Sequence, residues 1–319
     1  MGPLSITLLG GTGFVGSRLA SRLIRDGHRV QVLTRNRDRH RALLVLPGLE
    51  LVDADVHDPR VLGEAVRGSD AVVNLVGILN ERGRANFARV HVELARKLAI
   101  ACRSGGVPRL VQLSSLGASE QAPSRYLRSK AAAERVLRED ATGVGLSILR
   151  PSLIIGAGGV VEQFAALLRL FPLLPLARAG TRFAPVALED VVEAIVRSLA
   201  STQAGVASFE LCGPEVLTLA ALVRAIGDAL GRRRAVVGLP DALGWLQAAL
   251  LGLLPGSPLT LDNFRSLALD SVCHDDGCAR LGLTPASIRA RLPALLGAQQ
   301  QNVRFDQYRR AAGSRIGGP

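Results

Sequence analysis

Apolar and polar positions follow two alternating patterns between Leu4 and Arg150. Short, nearly continuous apolar runs are typical of strands buried on both faces of a sheet, and the segments between them carry apolar residues at helical spacing. The predicted strands are Ile6–Leu9, Val30–Thr34, Leu49–Asp53, Ala71–Leu75, Leu110–Ser114 and Leu146–Leu149. The predicted helices are Val15–Arg25, Val61–Val66, Phe87–Ser104 and Arg128–Glu139. This alternation indicates an α/β fold with a doubly wound parallel sheet.

The alternation weakens beyond Arg150. Helical spacing continues at Val160–Leu170, Leu188–Ala200 and Leu219–Leu230, and Phe209–Cys212 is a predicted strand. We expect a main domain over residues 1–155, to which residues 183–213 return. A smaller, mostly helical substrate or lid region is expected over 156–182 and 214–298. The tail 299–319 begins with three glutamines and ends in Gly-Gly-Pro, and we expect it to be loosely ordered.

Residues 241–254 form an apolar stretch between Pro240 and Pro255 that contains the single tryptophan, Trp245. The stretch is shorter than the roughly 20 residues that a helix needs to span a bilayer. Two interpretations stay open. The stretch is either a buried helix or a helix that docks on a membrane or on a partner protein.

The composition changes this picture mainly through its charge. The chain carries a formal net charge of +12, and its 39 basic residues include only two lysines. The arginines are spread along the chain, and only 3 % of the residues are aromatic, so no interleaved aromatic platform is available for stacked bases. We therefore expect no nucleic-acid binding. An acidic partner or an anionic lipid surface is compatible with the charge.

The four cysteines are Cys102, Cys212, Cys273 and Cys278. They are too few and too scattered for a disulfide framework, so we expect a reducing compartment. Cys273 and Cys278 lack a second ligand pair at a zinc spacing, and we expect an ordinary turn and no metal site there. The apolar run Leu4–Leu9 follows no basic region, so we expect a strand rather than a signal peptide, and a cytoplasmic protein.

A glycine-rich segment, Gly10–Gly16, follows the first predicted strand and opens the first predicted helix. Glycines in this context allow a tight turn, close approach of backbone to a pyrophosphate, and close packing of helix on strand. The helix N-terminus then supplies amide donors and the positive end of a dipole. The segment predicts a dinucleotide-binding turn made by Gly10, Thr12, Gly13, Phe14, Val15 and Gly16.

The end of the second predicted strand indicates which dinucleotide is bound. An acidic residue there would hydrogen-bond the ribose of NAD. This chain has Thr34-Arg35-Asn36-Arg37 and no carboxylate before Asp38. Arg35, helped by Arg37 and next to Asn36, is suited to pair with a 2′-phosphate. The sequence predicts NADP(H) as the preferred cofactor. NAD(H) stays open, because an arginine-rich chain also produces solvated basic loops.

Two further strand ends are expected to line the same cofactor. Asp55 and Val56 follow the third strand, where an adenine edge can be read. Leu75, Val76 and Gly77 follow the fourth strand, where the backbone must pass the ribose and the nicotinamide. Gly77 permits that close approach.

A Tyr-x-x-x-Lys pair, Tyr126 and Lys130, uses one of the two tyrosines and one of the two lysines in the chain. On a helix this spacing places an ammonium beside a phenol and favours the ionised phenol. Ser114 and Ser115 end the fifth predicted strand. We expect Ser115 to orient a substrate oxygen, Tyr126 to transfer a proton, and Lys130 to tune the phenol and hold the nicotinamide ribose. Plainer interpretations stay open: Tyr126 packs against a neighbour with Lys130 in solvent, and Ser114 satisfies its own strand end.

These motifs together resemble the short-chain dehydrogenase/reductase superfamily, in its extended and atypical branches, over nearly the whole chain. Leu149–Ser152 is similar to the segment that follows the sixth strand near the nicotinamide, and Ala184–Val191 to a late loop-to-helix segment. The resemblance implies a Rossmann fold, with Pro151 and Ser152 in the cofactor site. More narrowly, Val90–Glu93 and Ser257–Asn263 resemble bacterial relatives of NADH dehydrogenase 1 alpha subcomplex subunit 9, the nucleotide-binding accessory subunit of mitochondrial complex I.

Two positions depart from the superfamily pattern. His91 stands where a helix-borne asparagine commonly helps a proton relay. An imidazole there can act in the cofactor site, or it can be a satisfied core residue. Ser115 lies eleven positions before Tyr126, closer than in typical sugar-nucleotide epimerases. Both departures weigh against an epimerase.

The sequence therefore predicts an NADP(H)-dependent oxidoreductase acting on a carbonyl or alcohol of an apolar small molecule, quinone- and isoprenoid-like compounds included. The first alternative is a non-catalytic nucleotide-binding accessory or assembly protein of a complex I-like or quinone-related system. The second is a nucleotide-sugar epimerase or dehydratase. The apolar stretch 241–254 leaves open a peripheral position at the inner face of a membrane.

Overall fold

A central sheet organises the chain. The computed structural model describes residues 2–201, 205–253 and 259–297. Its strands are β1 Ser5–Leu9, β2 Arg29–Thr34, β3 Leu49–Asp53, β4 Ala71–Asn74, β5 Arg109–Leu113, β6 Gly145–Pro151, β7 Ile154–Ile155, β8 Leu173–Ala177, β9 Arg182–Phe183, β10 Val186–Ala187, β11 Val206–Leu211, β12 Leu217–Thr218 and β13 Ala235–Leu239.

Helices flank this sheet and form most of the C-terminal part. They are α1 Phe14–Arg25, α2 Pro59–Val66, α3 Leu94–Ser104, α4 Arg125–Asp140, α5 Gly159–Leu170, α6 Leu188–Ala200, α7 Leu219–Ala229, α8 Asp241–Gly252, α9 Leu261–Ser266 and α10 Gly277–Arg280. A 3₁₀ segment, Arg37–Val45, follows β2, and a π-helical turn, Ala88–Glu93, leads into α3. A last helical stretch covers residues 288–297.

Seven parallel strands form the sheet in the order β3-β2-β1-β4-β5-β6-β11. Strand order runs outward from β1 to β3 on one side and from β4 onward on the other, so it reverses between the neighbours β1 and β4. At such a switch point, the carboxyl ends of the strands form a crevice for a ligand. The six strands expected before Arg150 and the one expected at Phe209–Cys212 are all present, with ends shifted by up to three residues. The predicted α/β fold with a doubly wound Rossmann sheet is confirmed.

Each face of the sheet buries its own layer of helices. On one face Leu8 packs with Leu19 of α1 and Ile195 of α6. On the other face Leu9 packs with side chains of α2, α3 and α4, such as Leu98. Neighbouring strand residues therefore point into different cores, and both must be apolar. This is the physical reason for the nearly continuous apolar runs in the sequence.

The C-terminal part builds a third core from α5, α7 and the stretch 288–297, around Leu168, Leu222 and Leu292. Three two-stranded pairs, β7 with β10, β9 with β12 and β8 with β13, complete this part. Their strands are at most five residues long, and the sequence pattern did not predict them. The predicted domain boundaries stay a prediction, and the tail 299–319 lies outside the described residues.

The C-terminal segment before α10 is tied to the end of β11. Cys212 and Cys273 form a disulfide across 61 residues of sequence, and the Glu210 carboxylate accepts hydrogen bonds from the amides of His274 and Asp275. The sequence showed the cysteines only as scattered, because their proximity depends on where β11 joins the sheet. The expectation of no disulfide framework is corrected to one disulfide, and the expected turn after Cys273 leads directly into α10.

Helix α8 occupies the apolar stretch predicted at 241–254, of which residue 254 lies outside the described residues. The helix rests on the protein along one narrow side, where Gly244 permits close approach to Ala177 and Phe264 and where Ala248 is buried. Trp245 is 52 % exposed. The interpretation of this stretch as a buried helix is therefore wrong. Within the described ranges, no helix is long and apolar enough to cross a membrane.

Candidate functional site

The turn after β1 has the geometry that a dinucleotide pyrophosphate requires. Gly10 has a positive φ of 75°, and a Cβ there would lie 2.9 Å from the carbonyl carbon of Leu75. A Cβ at Gly16 would overlap the Gly10 carbonyl oxygen. Helix α1 starts without a side-chain cap and without an acidic residue in its first turn. Its leading amides and positive dipole end are thus suited to an anion, and the turn fits the phosphates of a dinucleotide.

The loop after β2 presents cations rather than carboxylates. Arg35, Asn36 and Arg37 are all exposed. The Asn36 side chain accepts a hydrogen bond from the Arg39 amide, so it caps the 3₁₀ segment. Asp38, the first carboxylate after the strand, pairs with Arg41 at 2.6 Å. No ion pair of Arg35 or Arg37 occurs among the described residues, so both guanidinium groups are suited to a phosphate.

The other strand ends reach the same crevice. Asp55 is exposed and accepts a hydrogen bond from the His57 amide, while Val56 packs against the core. Leu75 and Val76 follow β4 as partly buried residues, and Gly77 is exposed. A Cβ at Gly77 would lie 3.3 Å from the Lys130 Nζ and 3.6 Å from the His91 Nε2. Gly77 therefore keeps space open beside both side chains.

Tyr126 lies in the first turn of α4. The Ser124 side chain caps this helix by accepting from the Leu127 amide at 3.2 Å. The Ser115 hydroxyl donates to the Leu116 carbonyl oxygen at 3.3 Å, and it is also close enough to the Tyr126 phenol to interact with it. The structure therefore brings these two predicted residues together. Burial raises the pKa of Tyr126, and the interaction with Ser115 lowers it in part. At neutral pH the phenol therefore holds its proton.

Lys130 is buried, with 6 % of its surface exposed. Its Nζ donates to the Leu113 carbonyl oxygen at 3.2 Å. Burial lowers the pKa of Lys130 to about 8, opposed by the charge of Glu134. The predicted effect of Lys130 on the phenol stays a prediction. The interpretation of Lys130 as a solvated surface residue is wrong.

His91 is enclosed by groups of this chain. Its Nε2 accepts from the Ile78 amide at 3.1 Å, so the proton of the neutral ring lies on Nδ1, which is 2.7 Å from the Ser129 Oγ. The Ser129 hydroxyl in turn donates to the Tyr126 carbonyl oxygen. Burial and then the charge of Lys130 lower the pKa of His91 to about 3. Both ring nitrogens are occupied, which favours a satisfied core residue over a proton relay.

Sequence reasoning missed Glu134, a carboxylate with only 3 % exposure beneath the site. It accepts a hydrogen bond from the Ser114 hydroxyl at 2.5 Å and from the Arg150 Nε at 2.9 Å. Ser114 therefore points to this carboxylate rather than toward a ligand. The signal for Glu134 was its position four residues after Lys130 on the same helix face.

The C-terminal part contacts two of the expected site residues, Ser152 and Tyr126. The Ser152 hydroxyl donates to the Ser271 carbonyl oxygen at 2.6 Å, and Pro151 next to it is buried. Asp262 of α9 accepts hydrogen bonds from the Arg125 and Tyr126 amides at 2.7 and 2.9 Å. It lies in the segment Ser257–Asn263 singled out above, of which residues 257 and 258 lie outside the described residues.

Across the described ranges, no cluster of three or more His, Cys, Asp or Glu residues could hold a metal ion.

Comparison with known proteins agrees with this geometry. The family model described as NAD(P)H-binding matches residues 10–159. NADH dehydrogenase [ubiquinone] 1 alpha subcomplex subunit 9 of Arabidopsis thaliana is 31 % identical over 287 residues, which cover 85 % of this chain and 71 % of that protein. The ceramide reductase of Caulobacter vibrioides is 30 % identical over 240 residues, which cover 74 % of each.

Solved structures extend the likeness to the whole fold. MoeE5 in complex with UDP-glucose and NAD superposes with a TM-score of 0.73 over 94 % of this chain and 99 % of that one, at 19 % identity. At this identity the likeness concerns the fold alone. The curated relatives show that the chain belongs to the family of the alpha subcomplex subunit 9 proteins of NADH dehydrogenase, and its residues 10–159 match the NAD(P)H-binding family model.

Proposed function

We propose that this protein is an NADP(H)-dependent oxidoreductase acting on a carbonyl or alcohol of an apolar small molecule. The observation that carries the proposal is the proximity of Ser115, in the loop after β5, to Tyr126 on α4, the helix that also carries the buried Lys130. These residues stand where β5 ends, at the same edge of the sheet as the glycine turn after β1. In a parallel sheet, ligands bind outside that edge.

The protein's part in the reaction is proton transfer and positioning. A bound dinucleotide supplies the hydride to a carbonyl carbon, or takes it from an alcohol carbon in reverse. Tyr126 donates its phenolic proton to the carbonyl oxygen as that oxygen becomes a hydroxyl. Because burial raises the pKa of Tyr126, the phenol is neutral and holds its proton at neutral pH, which suits it to carbonyl reduction. Ser115 orients the same oxygen, and Lys130 holds the nicotinamide ribose.

The preference for NADP(H) rests on the loop after β2. Arg35 and Arg37 present unpaired guanidinium groups within the described part of the chain, and Asp38 is held by Arg41. Replacing Arg35 with aspartate should reduce the ratio of NADPH to NADH affinity by about tenfold or more, because one charge-assisted phosphate contact is lost. Arg39→Asp in the same loop is the matched control. Equal ratios of NADPH to NADH affinity in the wild type and in Arg35→Asp would refute the assignment of NADP(H) as the preferred cofactor.

The substrate is proposed to be apolar. The support is a relative named ceramide reductase, since ceramide is a lipid, together with the apolar C-terminal part of this chain. Quinone- and isoprenoid-like carbonyl compounds belong to the same chemical class. Measuring NADPH consumption with a panel of such compounds would search for the substrate directly.

Tyr126→Phe tests the chemistry. It should lower turnover of any substrate found by about a hundredfold or more, because the proton donor is lost. Binding of NADPH, measured by calorimetry, should stay within about twofold of wild type. Equal turnover in the variant would refute the role of Tyr126.

A second candidate is a nucleotide-binding accessory protein without turnover. It is supported by the relatives named as NADH dehydrogenase subunits, one of which shares 31 % identity with this chain. This candidate predicts nucleotide-dependent stabilisation with no NADPH consumption, and co-purification with respiratory subunits. No contact among the described residues favours the third alternative, a nucleotide-sugar epimerase or dehydratase.

A further inference from the structure

The C-terminal part carries an exposed apolar surface, which we name the apolar face. On α8 its members are Leu243, Leu246 and Leu250, with 52 %, 47 % and 60 % of their surfaces exposed. Beside α8 its members are Phe171, Leu173, Pro175 and Val237. Exposed apolar side chains grouped in one patch mark an interaction site more often than scattered ones do.

The ribbon of β8 and β13 explains why these residues share one side. The two strands pair in parallel, with Leu173 opposite Ala235 and Pro175 opposite Val237. The alternate residues Leu174 and Val236 point the other way, into the C-terminal core. In an ordinary surface ribbon the outward positions would be polar. Here they are apolar.

Helix α8 lies directly against this ribbon. The Gln247 side chain donates to the Pro175 carbonyl oxygen at 3.0 Å, and Gly244 approaches Ala177 at the end of β8. After Asp241, which pairs with Arg178, residues 242–253 contain no ionisable side chain. A helix in water normally has a polar side. This one has leucines on its outer side, at positions 243, 246 and 250.

Basic residues border the apolar face. Arg169 precedes it at the end of α5, and Arg232 and Arg233 precede β13, all three exposed. The chain as a whole carries a net charge of +12. A second copy of this chain would bring like charges together around the contact. An anionic lipid surface instead matches an apolar centre with a basic border.

We propose that the apolar face docks on the surface of a membrane that contains anionic lipids, with α8 lying in the interface. With 12 residues, α8 is too short to span a bilayer, which takes about 20 residues. Trp245 stands at the flank of the same helix, and tryptophan is favoured at the level of the lipid headgroups.

The docking surface is joined to the proposed active site. Ala248 of α8 packs with Phe264 of α9, and Asp262 of α9 accepts the hydrogen bond of the Tyr126 amide. Three elements in contact thus connect the membrane side to the helix that carries Tyr126. This connection rests on the proposed function, and it favours a substrate that is itself dissolved in the bilayer.

Sedimentation with vesicles tests the proposal on the full chain. The wild-type protein should bind vesicles that contain phosphatidylcholine and phosphatidylglycerol. It should bind vesicles of phosphatidylcholine alone much more weakly. Leu246→Asp/Leu250→Asp should weaken binding by at least about tenfold, because two apolar side chains leave the lipid. Val45→Asp/Ile100→Asp, which also charges two exposed apolar positions, should bind as wild type does. The single tryptophan, Trp245, should shift its emission to the blue on binding.

Several results would overturn the proposal. Equal vesicle binding by wild type and Leu246→Asp/Leu250→Asp, or no binding by wild type, would do so. A wild-type dimer that the same variant converts to a monomer would assign the face to a second copy. Capture of a specific protein by the face, without vesicle binding, would assign it to a protein partner. Tyr126→Phe should bind vesicles normally, so failure of the proposed chemistry and failure of docking are distinguishable.

Discussion

Replacing Lys130 with methionine should stabilise the protein while removing a residue of the proposed active site. The ammonium is buried and donates a hydrogen bond to the Leu113 carbonyl oxygen. The fall of its pKa from 10.5 to about 8 corresponds to about 3 kcal/mol of unfavourable free energy in the charged form. Losing the hydrogen bond to Leu113 destabilises the variant by about 1 kcal/mol, which offsets part of this gain. The variant should therefore gain about 2 kcal/mol in the free energy of unfolding at pH 7.

The pH dependence gives this prediction its sign. Below pH 8 the folded wild type keeps the buried charge, so the destabilisation is present in full. Between pH 8 and 10.5 the folded protein releases the proton before the unfolded chain does, so the wild-type stability should rise toward that of the variant. Urea unfolding at several pH values measures both effects. Lys97→Met is the control, because Lys97 donates to the His57 carbonyl oxygen from a partly buried position. A less stable Lys130→Met at pH 7, or an equal gain in Lys97→Met, would refute the reasoning.

Three further predictions concern the contacts around the site. Glu134→Gln should lower the free energy of unfolding by about 3 kcal/mol, because the buried partner of Arg150 loses its charge; the exposed Glu139→Gln on the same helix should change it by less than about 1 kcal/mol. Asp262→Asn should cost about 1 kcal/mol by weakening the cap on α4, and an unchanged urea midpoint would contradict that role. Reducing the disulfide of Cys212 and Cys273, which are 61 residues apart, should cost up to about 4 kcal/mol; unfolding curves that coincide with and without reductant would show that the bond contributes nothing.

The sheet could be predicted from the sequence because its signals are local. Both faces of β1 to β6 are covered by helices, so the strands are recognisable as apolar runs. The glycine turn was equally clear, because a Cβ at Gly10 or Gly16 collides with neighbouring backbone. The Tyr126 and Lys130 pair was found by its spacing on a single helix.

The contacts that could not be predicted join residues far apart in sequence. Asp262 meets the amide of Tyr126 across 136 residues, and Cys212 meets Cys273 only because β11 joins the edge of the sheet. The exposure of α8 also depends on tertiary structure. Its apolar composition is compatible with burial, and only the packing of Gly244 and Ala248 shows that one narrow side is covered.

Nucleotide-dependent stability tests the central claim most directly. The thermal unfolding midpoint should rise with NADPH, more than with NADH at the same concentration. At one hundred times the dissociation constant the gain is about 2.7 kcal/mol in the free energy of unfolding. Tyr126→Phe should keep this stabilisation and lose turnover. A protein that gains no stability from either nucleotide would contradict the account.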